Sequence, residues 1–285
     1  MNSLEIKLLG TFQAAIGTRP LTQFRSDKVR ALLIYLVVEA ERPHRRETLA
    51  GLLWPDFSQK SALSNLRKSI YHLRQALDKV EPGFSDQLLI ITRQTIQIIP
   101  EKLLVDFNQF QEHLDFIKQH HHQHLHNCDH CLEALKNAAS LYQGDFTTGF
   151  SLADASTFES WLLIQRESAQ QEALFAMEHL AAASEVSGDY EQARYYASKQ
   201  LMLEPWRENA YRQLMRALAL NGRRAEALAQ YENCRQILWD ELEVEPAPET
   251  QQLFEAIKND KLVPQESRTQ TQLHHFPTPF TPFIG

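Results

Sequence analysis

Glycine is scarce in this chain. There are nine in 285 residues, and the closest pair, Gly144 and Gly149, is five positions apart. A dinucleotide-binding fingerprint needs two glycines two apart, so that fingerprint is excluded. One stretch, "GDFTTGF", has the glycine spacing of a P-loop, but Phe150 stands where the phosphate-binding lysine belongs. It reads instead as a turn between two helices. Neither HExxH nor GxSxG occurs. With no catalytic residue to assign, a non-enzyme is expected. Long apolar runs are also missing. The longest is Ala31–Val38, well short of the roughly 20 residues a membrane helix needs. Glu5 and Lys7 interrupt the region where a signal peptide would be apolar, so a cytoplasmic chain with no membrane partner is expected. Cysteine is limited to three, too few for a disulfide framework.

What is present is globular: 43% hydrophobic and 23% charged residues. The net charge of −7 hides a split. Residues 1–110 hold 15 basic and 11 acidic side chains, and residues 111–285 hold 14 and 25. Such asymmetry predicts two domains with different partners, the first of which can face a polyanion.

Residues 4–24 alternate in short apolar runs broken by Gly10, Gly17 and Pro20, a pattern of strands and tight turns. From Ser26 the period becomes helical, with Val29, Leu32, Leu33, Leu36 and Val37 on one side. A second helix is predicted over roughly Arg45–Leu53, ending at Trp54-Pro55. A third runs over about Gln59–Lys79. Ala62, Leu66, Ile70, Leu73 and Leu77 form its apolar stripe, opposite Lys60, Ser61, Ser64, Asn65, Lys68, Tyr71, His72 and Gln75. No acidic residue lies between Ser58 and Gln75. Two β-branched runs then flank Arg93-Gln94-Thr95, a hairpin with a polar tip. Strands, three helices and a hairpin make the plan of a winged helix-turn-helix. A helix with a polar, basic face suits the major groove, although such a face is also what any solvated helix shows.

From Cys131 to Ile257 the pattern is one of successive amphipathic helices. Gly188 and Gly222 are 34 residues apart, as are Ala193 and Ala227, and Leu180 and Leu214. That period is tetratricopeptide-like, and such stacks offer surfaces to other proteins rather than chemistry of their own. Trp161, Trp206 and Trp239 are expected to lie between helices in the core. Ahead of this region, "HHHQHLHNCDHC" gathers six histidines and two cysteines. His124, His126, Cys128 and Cys131 have ligand types that suit a structural zinc. The alternative is a polar loop whose cysteines pack as small apolar residues.

Four segments, "LEIKLLGTFQ", "FRSDKVRALLIYLV", "RRETLAGLLWPD" and "SALSNLRKSIYHLRQAL", resemble the OmpR/PhoB-type winged helix of the SARP regulators, the antibiotic regulatory proteins of actinomycetes. "CLEALKNAASLYQGDF", "FESWLLIQRE", the stretch from Leu203 to Leu238 and "ELEVEPAPETQQLFEAI" are similar to that family's second module, the bacterial transcriptional activator domain. The resemblance implies a mainly α fold with a small β component. It divides the chain into a DNA-binding domain (1–110), a His-rich connector (111–127), a tetratricopeptide-like activator domain (128–260) and a linker tail (261–285). The tail's "TPFIG" looks like the lead-in to the ATPase domain of longer members. The chain would then be the front of a longer regulator, or else a short member ending in a remnant.

By position in the family, Asn65, Arg67, Lys68, Tyr71 and His72 would face bases. Ser64 and Arg74 would lie nearer phosphates, the Trp54 indole would meet a phosphate, and Arg93 at the wing tip would meet the backbone or minor groove. Tyr71 and His72 depart from the family, where arginine is common, and that leaves base preference open. The expected function is a bacterial transcriptional regulator of activator type. It would bind double-stranded DNA as a homodimer on repeated half-sites and contact RNA polymerase or other transcription proteins. The alternatives are a protein-interaction adaptor and a metal-responsive sensor.

Overall fold

The computed structural model describes residues 3–121 and 125–262. Expected features in the tail from residue 263 onward lie outside these, as does His124. The described chain divides into two units.

In the first unit the N-terminal alternation becomes β1 (Leu4–Lys7), β2 (Gln13–Ile16) and β3 (Arg19–Pro20), joined as an antiparallel meander. α1 (Asp27–Val38) buries Val29 and every residue from Ala31 to Val37, so it is a central helix rather than an amphipathic one. β4 (His44–Arg45) leads into α2 (Arg46–Leu53) and α3 (Gln59–Val80). Ser58 caps α3, its hydroxyl accepting from the Ser61 amide at 3.4 Å. After the short α4 (Phe84–Leu88), β5 (Leu89–Ile91) and β6 (Thr95–Ile98) form the expected hairpin, and β4 pairs with β6 to make a three-stranded sheet. The arrangement is a winged helix-turn-helix preceded by a sheet.

One strand had no sequence signal. β7 (Leu103–Val105) follows a 3-10 turn at Pro100–Lys102 and pairs in parallel with β1, giving the sheet order β3-β2-β1-β7. α5 (Asp106–Gln119) starts directly after it. The Asp106 carboxylate accepts from the amides of Leu8 (2.7 Å), Leu9 (3.1 Å) and Phe107 (2.7 Å), tying the end of β1 to the start of the helix. Burial holds this carboxyl above its ordinary pKa even though those donors work in the opposite direction.

The boundary expected at residue 110 falls inside α5. Residues 111–119 are helix, not connector, because Leu114 and Ile117 continue the buried stripe of Phe107 and Phe110. The expected unbroken module from 128 to 260 also changes. Residues 141–169 belong with residues 1–112 in the first unit. The "GDFTTGF" turn does join two helices, and it also pairs with the end of β1. Thr147 donates to the Leu8 carbonyl at 2.6 Å, Thr148 to Gly10 at 2.8 Å, and Gly10 to Asp145 at 3.1 Å. Gly10 sits at φ 126°, where a side chain would be strained. Arg166 then holds the turn through the carbonyls of Phe146, Thr147 and Phe150 at 3.0, 3.2 and 2.6 Å. Phe146 and Phe158 are fully buried, and Trp161 packs against Tyr35, Phe146 and Phe158 at ring separations of 5.1, 6.0 and 5.4 Å.

The second unit comprises residues 113–140 and 170 onward. It contains most of α6 (Asp129–Leu141), the C-terminal half of α7 (Ser156–Val186), α8 (Tyr190–Leu203), α9 (Glu208–Leu220), α10 (Arg224–Leu242) and α11 (Pro248–Lys258). The 34-residue period is repeated in the backbone. Gly188 donates to Glu185 and Asp189 to Ser184, while Gly222 donates to Ala219 and Arg223 to Leu218. Both glycines are left-handed, at φ 79° and 76°, so each helix ends in the same Schellman motif. Ala193 and Ala227 are both buried, as are Leu180 and Leu214. Arg216 pairs with the buried Glu185 at 2.5 Å, joining α9 to α7. Of the three tryptophans expected in the core, only Trp161 is there. Trp206 is 44% exposed in the turn before α9, and Trp239 is 56% exposed. Trp239 follows the buried Leu238 and is turned by about 100° to the open side of α10.

Candidate nucleic-acid interface

α3 divides as its pattern predicts. Ala62, Leu66, Ile70, Leu73 and Leu77 are buried, and Ser69 and Ala76 join them. The other side presents Ser64, Arg67, Lys68, Tyr71 and Gln75, all exposed, with Asn65 and His72 half-buried. Tyr71 is 58% exposed. Its hydroxyl accepts from Gln75 at 2.8 Å, and the His72 ring lies against it at 5.4 Å and meets Gln75 at 3.3 Å. These three side chains therefore form a small polar platform rather than independent probes.

The wing tip is built by Thr92. Its hydroxyl accepts from the amides of Gln94 (3.2 Å) and Thr95 (2.8 Å), which leaves Arg93 projecting from the turn. Arg46 holds the tip to α2, its amide donating to the Gln94 carbonyl at 2.9 Å and its guanidinium to Thr92 at 3.2 Å. Between the tip and α3 lies a cleft of about 350 Å³, lined by Arg45, Arg46, Arg67 and Arg93 with Glu47, Leu63, Gln94 and Thr95. Four guanidiniums against one carboxylate make it strongly positive. In the sequence Arg45 and Arg46 read only as a helix start. The pairing of Arg45 with Thr95 in the β4–β6 ladder brings them to the wing.

Two further expected contact residues have partners within the chain. Arg74 is engaged within the chain, donating to Ser85 Oγ at 3.3 Å and paired with Asp86 at a site open to solvent. Trp54 is only 7% exposed, with the Lys28 ammonium 5.8 Å from its ring centre. Its indole is chiefly a core group closing α2.

Of the expected metal ligands, Cys128 and Cys131 come together. His126 instead packs its ring against His179 at 5.3 Å. The histidine that meets both sulfurs is His120, at the end of α5. Its eight-residue separation from Cys128 matches no short ligand spacing, so the sequence does not single it out. Cys234 is buried away from this cluster, and burial pushes its thiol up to about 12.

A winged helix-turn-helix followed by a helical repeat is the architecture of a two-module regulator. The model of the bacterial transcriptional activator domain matches residues 105–258, and the chain belongs to that family, among the SARP-type transcriptional regulators. It is similar to the regulatory protein AfsR of Streptomyces coelicolor, at 27% identity over 239 residues. That match covers 81% of this chain and 22% of AfsR, so the chain spans about a fifth of that relative's length. Among solved structures, Mycobacterium tuberculosis EmbR in complex with a low-affinity phosphopeptide superposes with a TM-score of 0.67 at 22% identity, over 92% of this chain and 67% of that one. The latter likeness concerns the fold. Among the described residues no helix is long and apolar enough to cross a membrane.

Proposed function

We propose that this chain is a sequence-specific DNA-binding transcriptional activator whose first unit acts as an OmpR/PhoB-type winged helix. The observation that carries this reading is the acid-free outward face of α3 running into the arginine cleft beside the wing. A helix of this kind can enter the major groove and set Asn65, Arg67, Lys68 and Tyr71 against base edges, with Ser64 at the phosphates. Arg93, backed by Arg45 and Arg46, would meet the neighbouring backbone. What a merely solvated helix does not require is the cleft beside it, where Arg67 of α3 meets Arg93 of the wing and Arg45 and Arg46 at the start of α2.

The second unit would self-associate and meet RNA polymerase or other transcription proteins. Its acidic balance disfavours DNA, and the exposed Met202, Trp206 and Trp239 support a protein partner. The functional assembly is then a cytoplasmic homodimer on repeated half-sites. The test compares binding to DNA from upstream of the chain's own gene with binding to random duplex of equal length, across a salt series. Preference for the upstream DNA that survives at high salt is expected. Equal binding to both, collapsing together as salt rises, would leave only a nonspecific electrostatic contact.

A further inference from the structure

Three donors for a soft metal converge where α5 ends and α6 begins. His120 Nδ1 lies 3.7 Å from Cys131 Sγ and 3.9 Å from Cys128 Sγ, and the three donor atoms all lie within 4.8 Å of one another. With Zn–N near 2.05 Å and Zn–S near 2.3 Å at tetrahedral angles, the N···S edge of a zinc site is about 3.6 Å. Both observed edges are close to that length. A single imidazole nitrogen has one lone pair or one hydrogen, so hydrogen bonds to both sulfurs would have to share it as a bifurcated pair. A shared ion between the three accounts for both.

The surroundings favour the same reading. Cys128 precedes the first residue of α6 and Cys131 lies three further on, so both sulfurs lie on one side of the first turn. The His120 ring is stacked on Phe116 at 5.2 Å with 14° between planes, which orients Nδ1 toward the sulfurs. Cys131 is fully buried and Cys128 is half-buried, so the cluster opens to solvent on the Cys128 side.

We propose that His120, Cys128 and Cys131 bind one Zn²⁺, with a solvent molecule as fourth ligand, and that this ion clips the end of α5 to the first turn of α6. Three protein ligands with an open fourth position form a recognised zinc arrangement. The ion binds the folded chain and so stabilises it by mass action.

The test uses the full chain, purified without a histidine tag under reducing conditions. One equivalent of zinc by elemental mass spectrometry is expected, with a rise in Tm on adding Zn²⁺ to chelated protein. Co²⁺ in its place should give intense visible bands and a near-ultraviolet sulfur-to-cobalt charge-transfer band. Cys128→Ser and His120→Gln should each lower Zn²⁺ affinity at least tenfold, and Cys128→Ser should weaken the charge-transfer band. Serine is a good N-cap, so Cys128→Ser keeps the helix start, and circular dichroism checks that it does. Three results would overturn the proposal: substoichiometric metal after Zn²⁺ addition; a Co²⁺ spectrum without charge transfer, which places the metal on the histidine tract alone; or a Cys128–Cys131 disulfide that persists under reductant with Zn²⁺ present.

Discussion

Alanine at Arg67 and Arg93, singly and together, probes the cleft directly. Both side chains are exposed and line the same space, one from α3 and one from the wing tip. Neither supports the core, so each variant should keep its stability within about 0.5 kcal/mol. A guanidinium that meets a DNA phosphate displaces about 0.9 counterion. Each single variant should then flatten the plot of log affinity against log salt by about 0.9, and the double variant by about 1.8. From 50 to 200 mM salt, log concentration rises by about 0.6, so each lost contact makes the fall in affinity over that range about 3.5-fold smaller. An arginine that reads a base edge behaves otherwise. Its loss costs about 1–3 kcal/mol, roughly 5- to 150-fold, and relaxes specificity at one position. Fluorescence anisotropy on labelled upstream DNA distinguishes the two. A double variant with wild-type affinity and wild-type salt slope would refute the assignment of the cleft to DNA.

Leu66, adjacent to Arg67 but 1% exposed, should behave in the opposite way. Leu66→Ala should cost about 2–5 kcal/mol in urea unfolding, and a loss below 0.5 kcal/mol would contradict its place in the core. Gly188→Ala and Gly222→Ala force a left-handed backbone where a Cβ has open space, so each should cost about 1–2 kcal/mol and the two should add. Thermal melts that leave either variant unchanged would argue against the shared Schellman ends. In chelated native protein, only Cys128 should react with a disulfide reagent at pH 8, because Cys131 and Cys234 are buried and burial pushes Cys234 up to about 12. All three should react after unfolding, and three fast-reacting thiols in the native state would refute this.

Elements with a strong period were legible in the sequence. The stripe from Ala62 to Leu77 set both the extent of α3 and the side it shows to solvent, because a 3.6-residue period admits one arrangement. Gly188 and Gly222 marked the repeat, since the left-handed helix end they occupy strongly favours glycine. Features that depend on distant partners were not legible. Leu103–Val105 is too short to carry an alternating pattern and is a strand only because β1 lies beside it. Arg45 and Arg46 join the site through pairing with the wing. His120 reaches the cysteines through the path of the chain between two helices, which ligand spacing does not encode.

The return of residues 141–169 to the first unit bears on how such proteins can be recombined. The chain passes between the two units at 112/113, 140/141 and 169/170. These junctions lie within α5, at the end of α6 and within α7, so none falls in a loop. A crossover after residue 112 would separate the first unit from Phe146, Phe158 and Trp161, the aromatic residues that complete its interior. Exchange of this unit between relatives therefore requires residues 3–112 and 141–169 to change together. A graft designed on sequence boundaries alone would carry an unfinished core.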